Sequence, residues 1–91
     1  MSKKILMFYL SDCPHCRGAM RFEEELRREN PAYAALRIER IDEAADPKTA
    51  EKYDYYFVPT YYVDGVKVHE GRNGKADIKR VFDSALSRSS T

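Results

Sequence analysis

Along the chain, short apolar runs give way to stretches where apolar side chains recur every three or four positions, and each change of period marks a new element. Ile5 to Leu10 is an unbroken run of six apolar residues between Lys3-Lys4 and Ser11-Asp12. That length suits a strand covered on both faces. A helix is expected to open at Cys13-Pro14, with Asp12 as its cap and proline accommodated in the first turn. Ala19, Phe22 and Leu26 mark its apolar side. Glu23–Arg27 and Glu24–Arg28 are expected as i,i+4 pairs on its solvated side, and Asn30-Pro31 ends it.

Leu36 to Asp42 reads as a second strand, although Ile41 falls out of phase with Leu36 and Ile38. Asp46-Pro47 predicts the start of a short helix running to about Tyr55. Thr60–Val63 and Val66–Glu70, joined by Asp64-Gly65, predict a β-hairpin, because both turn residues need positive φ. Ile78, Val81, Phe82, Ala85 and Leu86 fit the i, i+3, i+4, i+7, i+8 template of a last helix, with Asn73 as its expected cap. Ser87 to Thr91 is a polar tail. The predicted order is β-α-β-α-β-β-α in one α/β domain over residues 1–91. Its β-α-β start gives two parallel strands and its hairpin an antiparallel pair, hence a mixed four-stranded sheet with helices on both faces.

Composition alters this picture little. With 43% hydrophobic and 34% charged residues, four glycines and four prolines, the chain has the make-up of a globular domain. Sixteen Lys+Arg against 15 Asp+Glu leave a formal charge of +1, so no basic field argues for nucleic acid or anionic lipid. No apolar run approaches the ~20 residues of a membrane span, and Ile5–Leu10 is shorter than the ~7–15 of a signal-peptide core. A cytoplasmic monomer without nucleic-acid or membrane partners is expected.

The chemistry lies in the two cysteines, Cys13 and Cys16, too few for a secreted disulfide scaffold. A C-x-x-C pair in a cytosolic setting is either a redox dithiol or half of a metal site. Backbone N–H groups and the positive end of a helix dipole at Cys13 favour its thiolate, the form that attacks disulfides. Cys16, three residues on, comes round on the same side of the helix.

Cys13-Pro14-His15-Cys16 at the junction of the first strand and first helix, with Val58-Pro59-Thr60 just before the third strand, resembles the glutaredoxin/thioredoxin family from about Lys4 to Leu86. The smaller, glutaredoxin-size version of the thioredoxin-like fold matches the expected element order. The resemblance implies a thiol–disulfide oxidoreductase with Cys13 as nucleophile and Cys16 as resolving thiol. It acts on protein or small-molecule disulfides and draws on a thiol or a reductase as electron donor. No permanently bound cofactor and no metal are expected. Phe57, Val58, Pro59 and Thr60 are implied at the substrate site. There the Val58–Pro59 bond is cis, the Val58 backbone pairs with an extended substrate, and the Pro59 ring keeps metals from the thiols.

Pro14-His15 is similar to the corresponding pair of strongly oxidising periplasmic thiol oxidases, so His15 is expected to favour the reduced form. Leu10 stands where many glutaredoxins carry a lysine that contacts glutathione. Glutathione is therefore expected as a weak reductant at best, with Val58 and Asp77 as remaining candidate contacts. Tyr53, Tyr55, Tyr56, Phe57, Tyr61 and Tyr62 cluster around Pro59 in the sequence, part candidate substrate floor and part expected core. Two other classes remain open: a metal-binding module that adds His15 and His69 to the cysteines, and a peptide-binding module whose dithiol is idle.

Overall fold

The computed structural model describes residues 3–86, so the expected polar tail from Ser87 to Thr91 lies outside the described residues. Four strands and four helices follow in the order β1 (Ile5–Tyr9), α1 (Pro14–Glu29), α2 (Pro31–Ala34), β2 (Ile38–Asp42), α3 (Pro47–Ala50), β3 (Thr60–Val63), β4 (Val66–Glu70) and α4 (Lys75–Leu86). The sheet order is β2-β1-β3-β4, with β1 parallel to β2 and antiparallel to β3. This is the mixed four-stranded α/β sheet that the pattern predicts.

Because side chains alternate along a strand, β1 feeds two cores. Ile5 and Met7 pack with Ala19, Leu26, Tyr61, Val63, Ile78, Val81 and Phe82 beneath α1 and α4. Leu6 and Phe8 face the other way, onto Ile41, Ala50 and Tyr62, with Tyr53 and Tyr55 closing the edge. Helices thus cover both faces. The phase break in β2 has the same origin: Ile38 packs against the first core and Ile41 against the second, an odd number of positions apart. Leu36 is buried, yet the strand begins only at Ile38.

Three local expectations are corrected. Asn30 both ends α1, with extended angles, and caps a further helical turn, α2, through its side chain to the Ala32 N–H. The helix after Asp46 stops at Ala50, well before Tyr55. Glu23 is not on the solvated side of α1; it is 1% exposed, in the buried stripe Cys16, Ala19, Glu23, Leu26. Its expected partner Arg27 turns away to donate to the carbonyls of Tyr33, Ala34 and Leu36. Glu23 instead meets Arg40 through both carboxylate oxygens, at 2.7 and 3.3 Å, and accepts the Tyr61 hydroxyl at 2.6 Å.

At the hairpin, Asp64 and Gly65 have φ of 52° and 86°, as a two-residue turn of this hand requires. The register pairs Tyr62 with Lys67 but Tyr61 with His69, so Val68 is a bulge.

Candidate active site

Beyond β1 the chain turns back on itself, the Cys13 N–H bonding to the Leu10 carbonyl at 3.2 Å. Cys13 is extended (φ −86°, ψ 119°) and occupies the cap position of α1, with Pro14 opening the helix. Asp12 is therefore not the cap; it is exposed, and no side chain caps this terminus. The Cys13 carbonyl accepts from Cys16 and Arg17 N–H, each at 3.1 Å. The N-terminal end of α1 is thereby placed at Cys13, which is half-buried and packed against the first core.

The two thiols are unequal. Cys13 is half-buried at the surface, whereas Cys16 is 1% exposed. Burial pushes the Cys16 thiol up to about 12. Its hydrogen bond to Cys13 and the charge of Glu43 act in the same direction, and the Leu10 N–H opposes them. Cys16 thus keeps its proton. Glu43, which no motif points to, is held in place by the Tyr55 hydroxyl at 2.7 Å.

The second motif lies against the first. The Cys13 sulfur is 3.9 Å from the Val58 carbonyl oxygen. The Val58–Pro59 peptide is cis. Pro59 and Thr60 are buried, and Phe57 is 68% exposed. Thr60 faces away from solvent and donates its hydroxyl to the Phe57 carbonyl at 2.5 Å. Four of the six expected floor aromatics serve the cores instead. Tyr53, Tyr55 and Tyr62 surround the Phe8 ring, with centroids 4.8, 4.9 and 5.9 Å away, and Tyr61 is fully buried. Only Tyr56 and Phe57 stand out toward solvent, at 85% and 68% exposure.

His15 is exposed, and its imidazole makes no hydrogen bond among the described residues; its carbonyl accepts from Asn73 Nδ2 at 3.2 Å. Asn73 is thus a brace between the start of α1 and the loop before α4, and not the cap of α4. That helix begins at Lys75, and Asp77 accepts the Gly74 N–H at 2.8 Å. This bond holds the Asp77 carboxyl below its usual range, and Arg80 occupies its other oxygen at 3.2 Å. Asp77 is thus engaged at the start of its own helix, by Gly74 and Arg80. His69 turns Nε2 to the carbonyls of Gly71 and Arg72, away from the metal-ligand role considered for it. Among the described residues, no group of three or more His, Cys, Asp or Glu side chains is placed to hold a metal ion. Among them, no helix is long and apolar enough to cross a membrane.

Over 66 residues, 71% of this chain and 75% of the other, the sequence is 39% identical to a thioredoxin of Methanocaldococcus jannaschii. The chain belongs to the thioredoxin family. Solved thioredoxins share its fold. One from Halobacterium salinarum superposes with a TM-score of 0.67 at 22% identity, over 96% of this chain and 77% of that one. One from Fasciola hepatica gives 0.65 at 18%, over 92% and 81%. No family model matches the chain. Membership and fold together support a thiol–disulfide oxidoreductase in the general sense.

Proposed function

We propose that this thioredoxin-family protein reduces disulfides through a dithiol cycle in which Cys13 attacks and Cys16 resolves. The observation that carries this reading is the inequality of the two thiols: one at the helix tip and reachable, the other buried and protonated. The Cys13 thiolate attacks one sulfur of the substrate disulfide; a protein–substrate S–S bond forms and the leaving sulfur departs as a thiolate that takes up a proton. Cys16 gives up its proton and attacks the Cys13 sulfur. The second substrate thiol leaves, and the protein carries a Cys13–Cys16 disulfide. Two electrons have passed from the dithiol to the substrate, and an external thiol or a reductase restores it.

The main chain of Val58, beside Cys13, is the surface on which an extended substrate strand pairs. Glutathione is a weak partner in this reading, since Leu10 offers no cation and Asp77 is already engaged. Without a charged contact, affinity falls by about 10- to 100-fold, the worth of ~1.5–3 kcal/mol. The test is turbidimetric reduction of insulin by dithiothreitol. Catalysis by the native protein and none by Cys13→Ser supports the reading; equal rates with and without the protein refute it.

A further inference from the structure

The two residues that lead into Val58, Tyr56 and Phe57, have little packing of their own to hold them. Residues between α3 and β3 form no regular element, and Tyr56 and Phe57 are too exposed for burial to fix them. Upstream, Tyr53 and Tyr55 pack on the second core and the Tyr62 hydroxyl holds the Asp54 carbonyl at 2.7 Å; at Tyr56 and Phe57 a single carboxylate holds both main-chain N–H groups. Glu70 Oε2 accepts the N–H of Tyr56 and, at 3.0 Å, that of Phe57. Its other oxygen meets Lys67 Nζ at 2.7 Å, and the same ammonium reaches the Asp54 carbonyl at 3.2 Å. Neighbouring bonds finish the clamp: Thr60 Oγ1 to the Phe57 carbonyl, and the Gly71 N–H to the Pro59 carbonyl at 2.8 Å. Gly71 has φ +85°, and a Cβ there would lie 3.3 Å from Phe57 Cβ, so the segment lies close against the end of β4.

Two features make this arrangement more than a surface ion pair. The bulge at Val68 allows it: three residues apart on a regular strand, Lys67 and Glu70 would point to opposite faces, and the extra residue brings both to the face of Tyr62 and Thr60. And the bonds stop at Val58. The N–H groups of Tyr56 and Phe57 and the carbonyls of Phe57 and Pro59 are all taken. Among the described residues, the Val58 N–H has no acceptor, and its carbonyl has only the Cys13 sulfur nearby.

We infer that Glu70 is a positioning residue for disulfide exchange: by holding the backbone of Tyr56 and Phe57 it sets the unpaired main chain of Val58 beside Cys13, where an extended substrate meets both. This rests on the functional reading above. Glu70 touches neither the substrate nor the reacting sulfurs. Its effect falls on substrates that pair with Val58 and spares attack on disulfides too small to do so.

The experiment compares the native protein, Glu70→Ala and Glu70→Gln in insulin reduction and in single-turnover reaction with a small aromatic disulfide. Glu70→Ala is expected to lower kcat/KM for insulin about tenfold or more, mainly through KM, as loss of two bonds to a charged acceptor implies. The insulin-to-small-disulfide rate ratio falls with it. Glu70→Gln keeps an oxygen for both N–H groups and recovers most of the loss. Equal losses on both substrates, unchanged insulin kinetics, or no recovery in Glu70→Gln overturn the inference. Amide exchange in the native protein tests the clamp without any variant. Tyr56 and Phe57 N–H exchange slowly despite exposed side chains, and rates of a free loop overturn the inference. A native protein that reduces neither substrate refutes the functional reading and the role of Glu70 with it; a native protein that reduces insulin, beside an equally active Glu70→Ala, refutes Glu70 alone.

Discussion

The sulfur of Cys13 lies 3.9 Å from the carbonyl oxygen of Val58, 45 residues away in the chain. That contact joins the tip of α1 to the segment entering β3, and it leaves Cys16 behind Cys13, away from solvent. The two thiols should therefore react very differently. A thiol that burial pushes up to about 12 stays protonated at pH 8. Iodoacetamide should label Cys13 in the folded, reduced protein and spare Cys16, and both should label alike in urea. Peptide mapping by mass spectrometry reads this out; comparable labelling in the fold contradicts the assignment.

Glu23 should matter more to stability than any surface pair. It is 1% exposed and carries Arg40 and the Tyr61 hydroxyl, so its removal strands a guanidinium at the edge of the core. Breaking a buried pair costs ~3–5 kcal/mol; with the Arg40 side chain 34% exposed, about 2–4 is expected for Glu23→Ala. Glu23→Leu combined with Arg40→Met and Tyr61→Phe, which leaves no polar group of this cluster unpaired, should cost much less than Glu23→Ala alone. Urea denaturation of the native protein and the two variants measures both, and a Glu23→Ala loss under ~0.5 kcal/mol would place the pair among ordinary surface contacts.

Glu70 also gives the protein a defined acid sensitivity. Lys67, then the Tyr56 N–H, holds its carboxyl down at about 2, against 4.5 for an ordinary glutamate. A carboxyl depressed on folding stabilises the fold fully above its unfolded value and loses that contribution as pH falls toward the folded one. The stability gap between the native protein and Glu70→Gln should therefore be largest above pH 4.5 and shrink between 4.5 and 2. Urea midpoints across that range test it; a gap independent of pH contradicts the account.

His15, beside Cys13 with its ring exposed and unbonded among the described residues, is expected to favour the reduced dithiol and so raise the redox potential. If it favours the reduced state by ~1.5–3 kcal/mol, His15→Gly lowers the potential by roughly 30–60 mV. Equilibration against a glutathione buffer measures this, and an unchanged potential makes His15 an ordinary surface residue.

Much of the fold was legible because its signals are local. The apolar run of β1, the Asp64-Gly65 turn and the spacing Ile78, Val81, Phe82, Ala85 each act over a few residues and reappear at the expected places. The dithiol and Val58-Pro59 were visible as motifs for the same reason. What escaped is the long-range bonding. Glu23 read as one of an i,i+4 pair, although its place in the series 16, 19, 23, 26 marks the buried side of α1. Nothing within a few residues of Glu70 tells that a bulge turns it toward backbone N–H groups 13 and 14 positions earlier. Asn73 looked like a helix cap because asparagine caps helices, and its actual partner, the His15 carbonyl, lies 58 positions away.

The central claim is that Cys13 attacks and Cys16 resolves, and trapping tests it most directly. Cys16→Ser, reduced and mixed with insulin, should accumulate a covalent mixed disulfide at Cys13 that survives denaturation and dissolves in dithiothreitol. Cys13→Ser should trap far less, because Cys16 is buried and protonated. Peptide mapping of the adduct is the measurement: an insulin cysteine bonded to Cys13 is the predicted result. An adduct on Cys16 of the Cys13→Ser protein forming just as fast, or none on Cys13 in Cys16→Ser, would contradict the account.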